Sequence, residues 1–472
     1  EVEVDGEVRE VSATHLVDAA SRKFLTGRKT KNMLVGPKNL FGLDTGAAWV
    51  RVSGVDRKIF RDGMDPMRSS TSNYYCTNHW FGHGHWLWMI PICRDSMSLS
   101  IGIVCHNEVL PGKTVASQEK FLAFLKANHE VLYDLVKSGN VEDFVYWTRP
   151  SHRCHQMFSK DNWYAIGDAA YFGDAFYSLG TSTIALAVES VTEIIRAKRA
   201  GDADAEEKRA AYDGFNSWYG GTVVHLYRDH HKHLGHAGAM SWRIYFEYMW
   251  WFGAWVPMYL GKWHLDPEYC RGLLRHCERH FFKDFYDDLT RVVDEGRNIG
   301  WMDSYRADQL AFGYYPPQEH GEYLEDTIYE PQKLNIYHSV SRTYLYSAVF
   351  WMKFQWKAFG VLGVLRPKTL YHLVRLLKQA AWVGLGSLRH RLKMGGEDSS
   401  TSFRQVQDEM ADYAYKPSLQ PWLGEDGMPL PGLNGVEAGM ATPANTVGVG
   451  AVSSDVLAGG APPTAPVSSS AP

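Results

Sequence analysis

Apolar and other residues alternate through the first quarter of the chain, which reads as strand-rich. In "HWLWMIP" Trp86, Trp88 and Ile90 fall on one face and Leu87 and Met89 on the other. Pro91 lacks a ladder donor, so it marks a strand end or an edge. In "SMSLSIGIV" Met97, Leu99, Ile101 and Ile103 share one face, with Ser98, Ser100 and Gly102 on the other. The polar "ICRDS" between them predicts an antiparallel hairpin over Trp86–Val104. "GAAWVRVSGV" (46–55) predicts another strand, and Asp5-Gly6 between short runs predicts a small hairpin. A third strand leads into Val17-Asp18.

The period then changes. Phe121, Phe124, Leu125, Val131, Leu132 and Leu135 predict helix over 117–138. "NWYAIGDAAYFGDAFYSLGTST" reads as strand, glycine-broken loop and helix start. Ile184, Ala187, Val188, Val191, Ile194 and Ile195 form the apolar face of that helix. Residues 205–395 read as helical and aromatic, with breaks near Gly220-Gly221, Pro316-Pro317 and Pro367. After Lys416 no Lys or Arg follows and Gly, Pro, Ala and Ser dominate, which predicts a disordered tail. The chain divides accordingly into 1–204, 205–398 and 399–472.

Composition narrows the function. With 49 basic and 53 acidic residues among 472, the net charge of −4 argues against a nucleic-acid binder. Aromatics make up 14% of residues, enough for large apolar pockets. The six cysteines form no CxxC pair and read as reduced thiols, so a cytoplasmic location is expected. The uncharged stretch Tyr248–Gly261 is too short to span a membrane, which takes roughly 20 residues. It predicts a buried helix or, through the aromatic segment 244–263, peripheral membrane contact. The chain opens on Glu1 with what looks like the middle of a domain, so N-terminal truncation is expected.

Two features carry chemistry. The apolar strand before Gly167-Asp168 delivers a glycine that lets a ligand approach and a carboxylate suited to ribityl or ribose hydroxyls. The helix start near Thr181–Thr183 offers free N–H groups to an anion. An ordinary capped strand–loop–helix explains the same residues. Taken alone, the paired tryptophans read first as a core stripe.

Residues 86–91 also spell W-x-W-x-I-P through Trp86, Trp88, Ile90 and Pro91. This resembles the signature of the flavin-dependent halogenases. Asp18, Ala19 and Arg22 resemble that family's Asp-Ala-x-Gly-Arg segment. Gly167, Asp168, Asp174, Ser178 and Gly180 resemble its Gly-Asp…Asp-Pro…Ser-x-Gly segment. The resemblance covers about residues 1–199. It implies an α/β fold of the FAD-dependent monooxygenase type: a partial dinucleotide-binding core, a β-sheet substrate layer and an α-helical C-terminal domain. It implies that reduced FAD, O₂ and chloride or bromide yield hypohalous acid, with a separate flavin reductase as partner. Asp18, Arg22, Gly167, Asp168, Ser178, Gly180 and Thr181 are then expected at the cofactor. The backbone N–H groups of Leu179 and Gly180 are expected at the halide. Trp86 and Trp88 would keep substrate apart from the activated oxygen.

The chain departs from that pattern. No GxGxxG occurs, and the family's catalytic lysine lies upstream with that fingerprint. Ser21 and Ala175 replace a glycine and a proline of the pattern, and Tyr177 stands where the tryptophan halogenases carry a glutamate. "HLYRDHHKHLGH" places His225, Asp229 and His233 on one helical face. A solvated polar face is the expectation there, with His230, His231 and His236 pointing elsewhere, and no metal is expected. "HRCH" (152–155) reads as structural.

The expected function is halogenation of an electron-rich aromatic, free or bound to a carrier protein, as in secondary-metabolite biosynthesis. A single-component aromatic hydroxylase on the same fold, or a non-catalytic binding module, are the alternatives.

Overall fold

The computed structural model describes residues 2–4, 6–60, 74, 76–93, 95–227, 229–255, 259, 262–276, 279–302 and 336–393. Cys277, Pro257, Pro316-Pro317 and the segment expected to be disordered lie outside them.

The centre of the N-terminal half is a five-stranded antiparallel sheet. Its strands are β5 (Thr45–Ser53), β6 (Asn78–Gly82), β7 (His85–Cys93), β8 (Ser98–His106) and β9 (Asn140–Thr148), in the order β6-β7-β8-β5-β9. The expected hairpin is β7–β8, with Trp86 opposite Val104 and Trp88 opposite Gly102. A period of two separates the faces. Leu87, Met89, Leu99, Ile101 and Ile103 enter one core with Phe121, Leu125, Leu132 and Leu135. Those last four come from α2 (Gln118–Asn128) and α3 (Glu130–Ser138). The expected single helix is broken at His129, whose φ of −144° is not helical. Its ring meets His85 instead, Nε2 to Nε2 at 2.9 Å. Trp86 and Val104 face the opposite way, into a second core.

The opening hairpin forms as β1 (Val2–Val4) and β2 (Glu7–Arg9), with Gly6 at φ +79° in its turn. β3 (Leu16–Asp18) pairs in parallel with β11 (Trp163–Ala165). This two-stranded pair is the parallel part of the fold among the described residues. It sets Asp18 and the Gly167 turn at the carboxyl ends of adjacent strands, where α/β folds bind ligands. β4 (Met33–Val35), β10 (His152–Cys154) and β12 (Tyr171–Phe172) form a small sheet beside it. The first three residues of "HRCH" are therefore strand.

α4 (Leu179–Ala200) buries Leu186, Ala187, Val191 and Ile194. It packs against α5 (Ala205–Tyr227), which contributes Ala211, Tyr212 and Phe215 to the same core. That core crosses the boundary drawn at residue 204, so the two regions share one interior. α5 also runs unbroken through Gly220-Gly221, where a break was expected. A Cβ on Gly220 would stand 3.1 Å from Tyr171, so the glycine serves close packing.

α6 (His230–His233) starts a new helix after α5, so His225, Asp229 and His233 share no single helical face. His230, His231 and His233 are buried, which corrects the solvated-face expectation. α7 (Ala237–Trp250) is apolar on nearly all sides and buries Trp242, Phe246, Met249 and Trp250. The described residues of 244–263 are buried or half-buried, as the buried-helix reading of this stretch expects. Among the described residues no helix is long and apolar enough to cross a membrane.

The third core joins α7 to α9 (Arg279–Asp294) and to α10 (Ile336–Val364), through Phe246, Phe285, Phe350 and Phe354. α8 (Pro267–His276) precedes α9, and α11 (Pro367–Lys393) follows α10. The expected break at Pro367 is real: proline opens α11, where its missing N–H costs nothing.

Candidate functional site

The loop 173–178 and the first turn of α4 form the centre of the site. Tyr177 (φ 61°) and Ser178 (φ 54°) are consecutive non-glycine residues in the left-handed region. Each such residue costs roughly 1–3 kcal/mol and persists only when its surroundings hold it. Three bonds do so. The Tyr177 hydroxyl donates to Glu247 Oε2 at 2.8 Å. The Tyr227 hydroxyl donates to the Phe176 carbonyl at 2.5 Å. The Phe176 N–H donates to Asp174 Oδ1 at 3.0 Å.

The result is an unusual helix start. Ser178 makes no side-chain cap, and the first turn of α4 holds no acidic residue. The leading N–H groups of a helix have no acceptors within it. An added Cβ at Gly180 would meet nothing within 4 Å, so this start opens onto free space.

Two cavities flank it. One of about 440 Å³ is lined by Ser178 and Leu179 together with His79, Tyr177, Glu247 and Trp251. The other, about 270 Å³, is lined by Ser178, Thr181 and Ser182 with Tyr219, Trp255 and Tyr259. The walls are chiefly aromatic. Burial pushes His79 down to about 4, so it is neutral near pH 7.

Glu247 supplies the polar wall. Its Oε1 accepts from Arg243 Nε at 2.8 Å and from the Tyr286 hydroxyl at 3.0 Å. Burial pushes its carboxyl up, and Arg243 and the tyrosine hydroxyls oppose that. His233, pushed well down by burial, is neutral. Its Nδ1 accepts from Arg243 Nη1 at 2.6 Å, and its Nε2 lies 3.0 Å from the Thr290 hydroxyl. His233 of α6 therefore braces Arg243. Among the described residues no group of three or more His, Cys, Asp or Glu is placed to hold a metal.

The tryptophans stand behind this wall. Trp86 is 1% exposed, and its indole N–H donates to Asp174 Oδ1 at 3.2 Å. Its ring centre lies 5.2 Å from His79, 5.1 Å from Phe176 and 5.6 Å from Trp88. Trp88 is half-buried over Gly102, where a Cβ would come within 2.1 Å of its ring, and its N–H reaches Ser100 Oγ at 3.0 Å. Neither lines the larger cavity; His79 and Tyr177 do. Ile90 is 37% exposed and Pro91 half-buried at the far end of β7, away from the cavity-lining residues.

Asp174 is the most constrained acid here. It is fully enclosed, and its Oδ2 is buried without a hydrogen-bond partner. Burial raises its carboxyl to about 6.

The remaining cofactor candidates separate. Asp18 is buried, and its oxygens accept from the Ala20 N–H, the Thr26 N–H and the Thr26 hydroxyl. It thereby pins the start of α1 (Leu25–Lys29) and is occupied within the chain. The Arg22 guanidinium lies 4.7 Å over Trp147 and donates to the Pro150 carbonyl at 2.8 Å. Gly167 has φ +56°, and half-buried Asp168 follows it, its carbonyl 2.7 Å from His152 Nε2.

Glu247, His79 and the aromatic walls escaped the sequence reading. One signal was available: Glu247 is a lone acid inside "YFEYMWW", and a charge in so apolar a helix requires a partner.

No protein-family model matches the chain. It is 33% identical over 419 residues to the flavin-dependent halogenase chlA of Dictyostelium discoideum, covering 86% of this chain and 68% of that protein. It is 27% identical over 229 residues to the 1H-pyrrole-2-carbonyl-[peptidyl-carrier protein] brominase of Pseudoalteromonas luteoviolacea, covering 47% of each. The crystal structure of halogenase PltM superposes with a TM-score of 0.40 at 16% identity, over 72% of this chain and 64% of that one. The chain thus spans about two thirds of the amoebal relative and half of the bacterial one.

Proposed function

The chain belongs to the flavin-dependent halogenases, oxidoreductases that use FAD and halide, and on that premise we propose that it halogenates an electron-rich aromatic seated in the cavity beside α4. The observation that carries this reading is the uncapped start of α4. It is held open by the left-handed pair Tyr177-Ser178 and adjoins an aromatic cavity of about 440 Å³. Helix N-termini favour anions, and the N–H groups of Leu179 and Gly180 are the donors offered to chloride or bromide.

The residues present fit the flavin in part. The open space above Gly180 admits a flat ring, and Ser178 and Thr181 stand at its edge. Gly167 and Asp168, at the carboxyl end of β11, suit the ribityl hydroxyls, with Arg22 nearby. The chain holds no glycine-rich fingerprint for the pyrophosphate. When bound as reduced FAD, with O₂ and halide, the cofactor supplies the oxidised halogen.

The chain's own residues do the rest. The aromatic walls exclude water and present faces on which a small aromatic or the ring of a carrier-bound substrate stacks. Glu247 and the Tyr177 hydroxyl give the cavity one polar side, suited to a ring hydroxyl or N–H. Trp86 holds His79 and Phe176 in place from behind. A separate flavin reductase supplies reduced FAD.

Gly180→Asp tests the halide site. A carboxylate in the first turn suits the helix, and nothing obstructs its Cβ, so the melting temperature should hold or rise. Like charges a few ångströms apart at an effective dielectric of about 20 repel by ~3 kcal/mol, so halogenated product should fall at least about tenfold. The assay uses reductase-generated reduced FAD, bromide and a phenol probe, read by mass spectrometry. Unchanged bromination by the folded variant would refute the site. Hydroxylated product formed with NAD(P)H and without halide would favour a hydroxylase.

A further inference from the structure

We propose that the hairpin of α10 and α11 docks the protein onto an anionic lipid surface. Each helix buries one face and exposes a second apolar one. On α11, Leu370, Val374, Leu377, Leu385 and Leu388 recur at spacings of three, four or eight, and all are exposed. That spacing is one stripe along a helix. Their opposite numbers, His372, Leu376 and Ala380, are buried. On α10 the exposed positions Leu345, Val349 and Trp356 repeat the pattern, while Phe350, Trp351 and Phe354 fill the aromatic core.

Exposed apolar residues continue through the turn between the helices, at Val361, Leu362 and Leu365. Gly360 (φ 67°) breaks α10 there and sets off a short apolar tip. Leu362 at the tip is 80% exposed and Leu365 61%. Trp382, farther along α11, is 68% exposed. A soluble surface rarely leaves so long a run of large apolar side chains uncovered unless something binds it.

Charge identifies the occupant. From Ile336 to Lys393 the sequence holds ten Lys or Arg and no Asp or Glu, in a chain whose net charge is −4. Lys353 and Lys357 flank Trp356, and Lys378 stands beside Leu377, all exposed. Some of the basic groups are answered from the neighbouring helix: Lys368 Nζ lies 3.0 Å from Asp288. A second copy would bring the same basic surface against this one, and like charges would oppose the contact. An anionic headgroup layer attracts each Lys and Arg near it, while the apolar stripe and the exposed tryptophans enter the acyl boundary. Neither helix can cross a bilayer. The geometry is that of a hairpin lying in the interface.

Vesicle flotation of the whole protein tests this. Vesicles of phosphatidylcholine with about one third phosphatidylglycerol should retain it, and phosphatidylcholine alone should retain at least about tenfold less. High salt should release it. Leu362→Asp with Trp382→Asp changes exposed side chains only, so the melting temperature should stay within a few degrees while vesicle retention falls about tenfold or more. Equal retention on both vesicle types, or none on either, would overturn the proposal. So would a concentration-dependent dimer, dissociated by the same double substitution, in protein that ignores vesicles; that result assigns the face to a second copy.

Discussion

The two faces of the five-stranded sheet come from the same strands and do different work. One face, through Leu87, Met89, Leu99, Ile101 and Ile103 of the central hairpin, is chiefly aliphatic and lies under α2 and α3. The other carries Trp49, Trp86 and Trp88 beside Ser100 and Gly102, with indole N–H groups bonded to Asp174 and Ser100. The aliphatic face needs only volume and dryness. The aromatic face needs orientation, because each indole must keep a polar partner while supporting the wall of a cavity. Adjacent residues of one strand can therefore tolerate quite different substitutions. Four changes would break or sharpen that contrast.

The largest effect belongs to the aliphatic face. Ile101→Ala should lower stability by about 2–5 kcal/mol through lost transfer energy and a residual cavity. Product formed per folded molecule should stay constant, as judged by calorimetry and turnover on the same samples. Selective loss of coupling in this variant would erase the distinction between the faces.

The next concerns the Asp174 anchor. Its carboxyl is raised to about 6 by burial, against an ordinary value near 4, so between those pH values the folded state holds a proton that the unfolded chain releases. Stability from this group is complete below about pH 4 and is lost as pH rises through about 6. The loss is of the order of 2–3 kcal/mol. Asp174→Asn keeps an acceptor for Trp86 and Phe176 but cannot titrate. Its melting temperature should fall less than the parent's between pH 4 and 6. Parallel pH curves would mean that Asp174 ionises as freely as a surface acid.

Gly102→Ala alters the aromatic face without touching an aromatic residue. The new Cβ would fall 2.1 Å from the Trp88 ring, so the indole must move. Overpacking of this kind costs about 1–3 kcal/mol. The near-ultraviolet circular dichroism should change, and halogenated product per reduced flavin should drop. An unchanged spectrum would show that Trp88 does not lie on this glycine.

The smallest stability effect and the most specific functional one belong to Trp86→Phe. It removes the donor to Asp174 Oδ1, at about 1–2 kcal/mol. Behind a loosened wall, more oxidant should escape as hydrogen peroxide, measured as the ratio of peroxide to halogenated product. Normal coupling would leave Trp86 with a packing role only.

Much of this was legible in sequence because it depends on neighbours a few residues away. Period-two alternation set the hairpin of β7 and β8, its inward and outward residues, and the strand over 46–55. Period 3.6 set α4. W-x-W-x-I-P and Gly167-Asp168 identified the family before any coordinates, and the amoebal relative bears it out. The errors share a cause. Gly220-Gly221 read as a break because glycine is a poor helix former, but packing on Tyr171 favours it there. The histidines of α6 read as solvated because histidine is polar. The burial of His233 is matched by its bonds to Arg243 and Thr290, 10 and 57 residues away.

What the sequence determined by itself is the local order: strand and helix periods, the turn chemistry, and the residue pattern of a halogenase. What only the tertiary structure decided is which groups meet. It closed Asp18 onto Thr26, brought Glu247 from 70 residues away to Tyr177, set Trp86 behind the cavity wall, and turned one stripe of α10 and α11 outward. A local pattern specifies that a residue is apolar or charged. Whether that apolar side chain is covered, or that charge paired, depends on chain segments far away in sequence, and only packing brings them together.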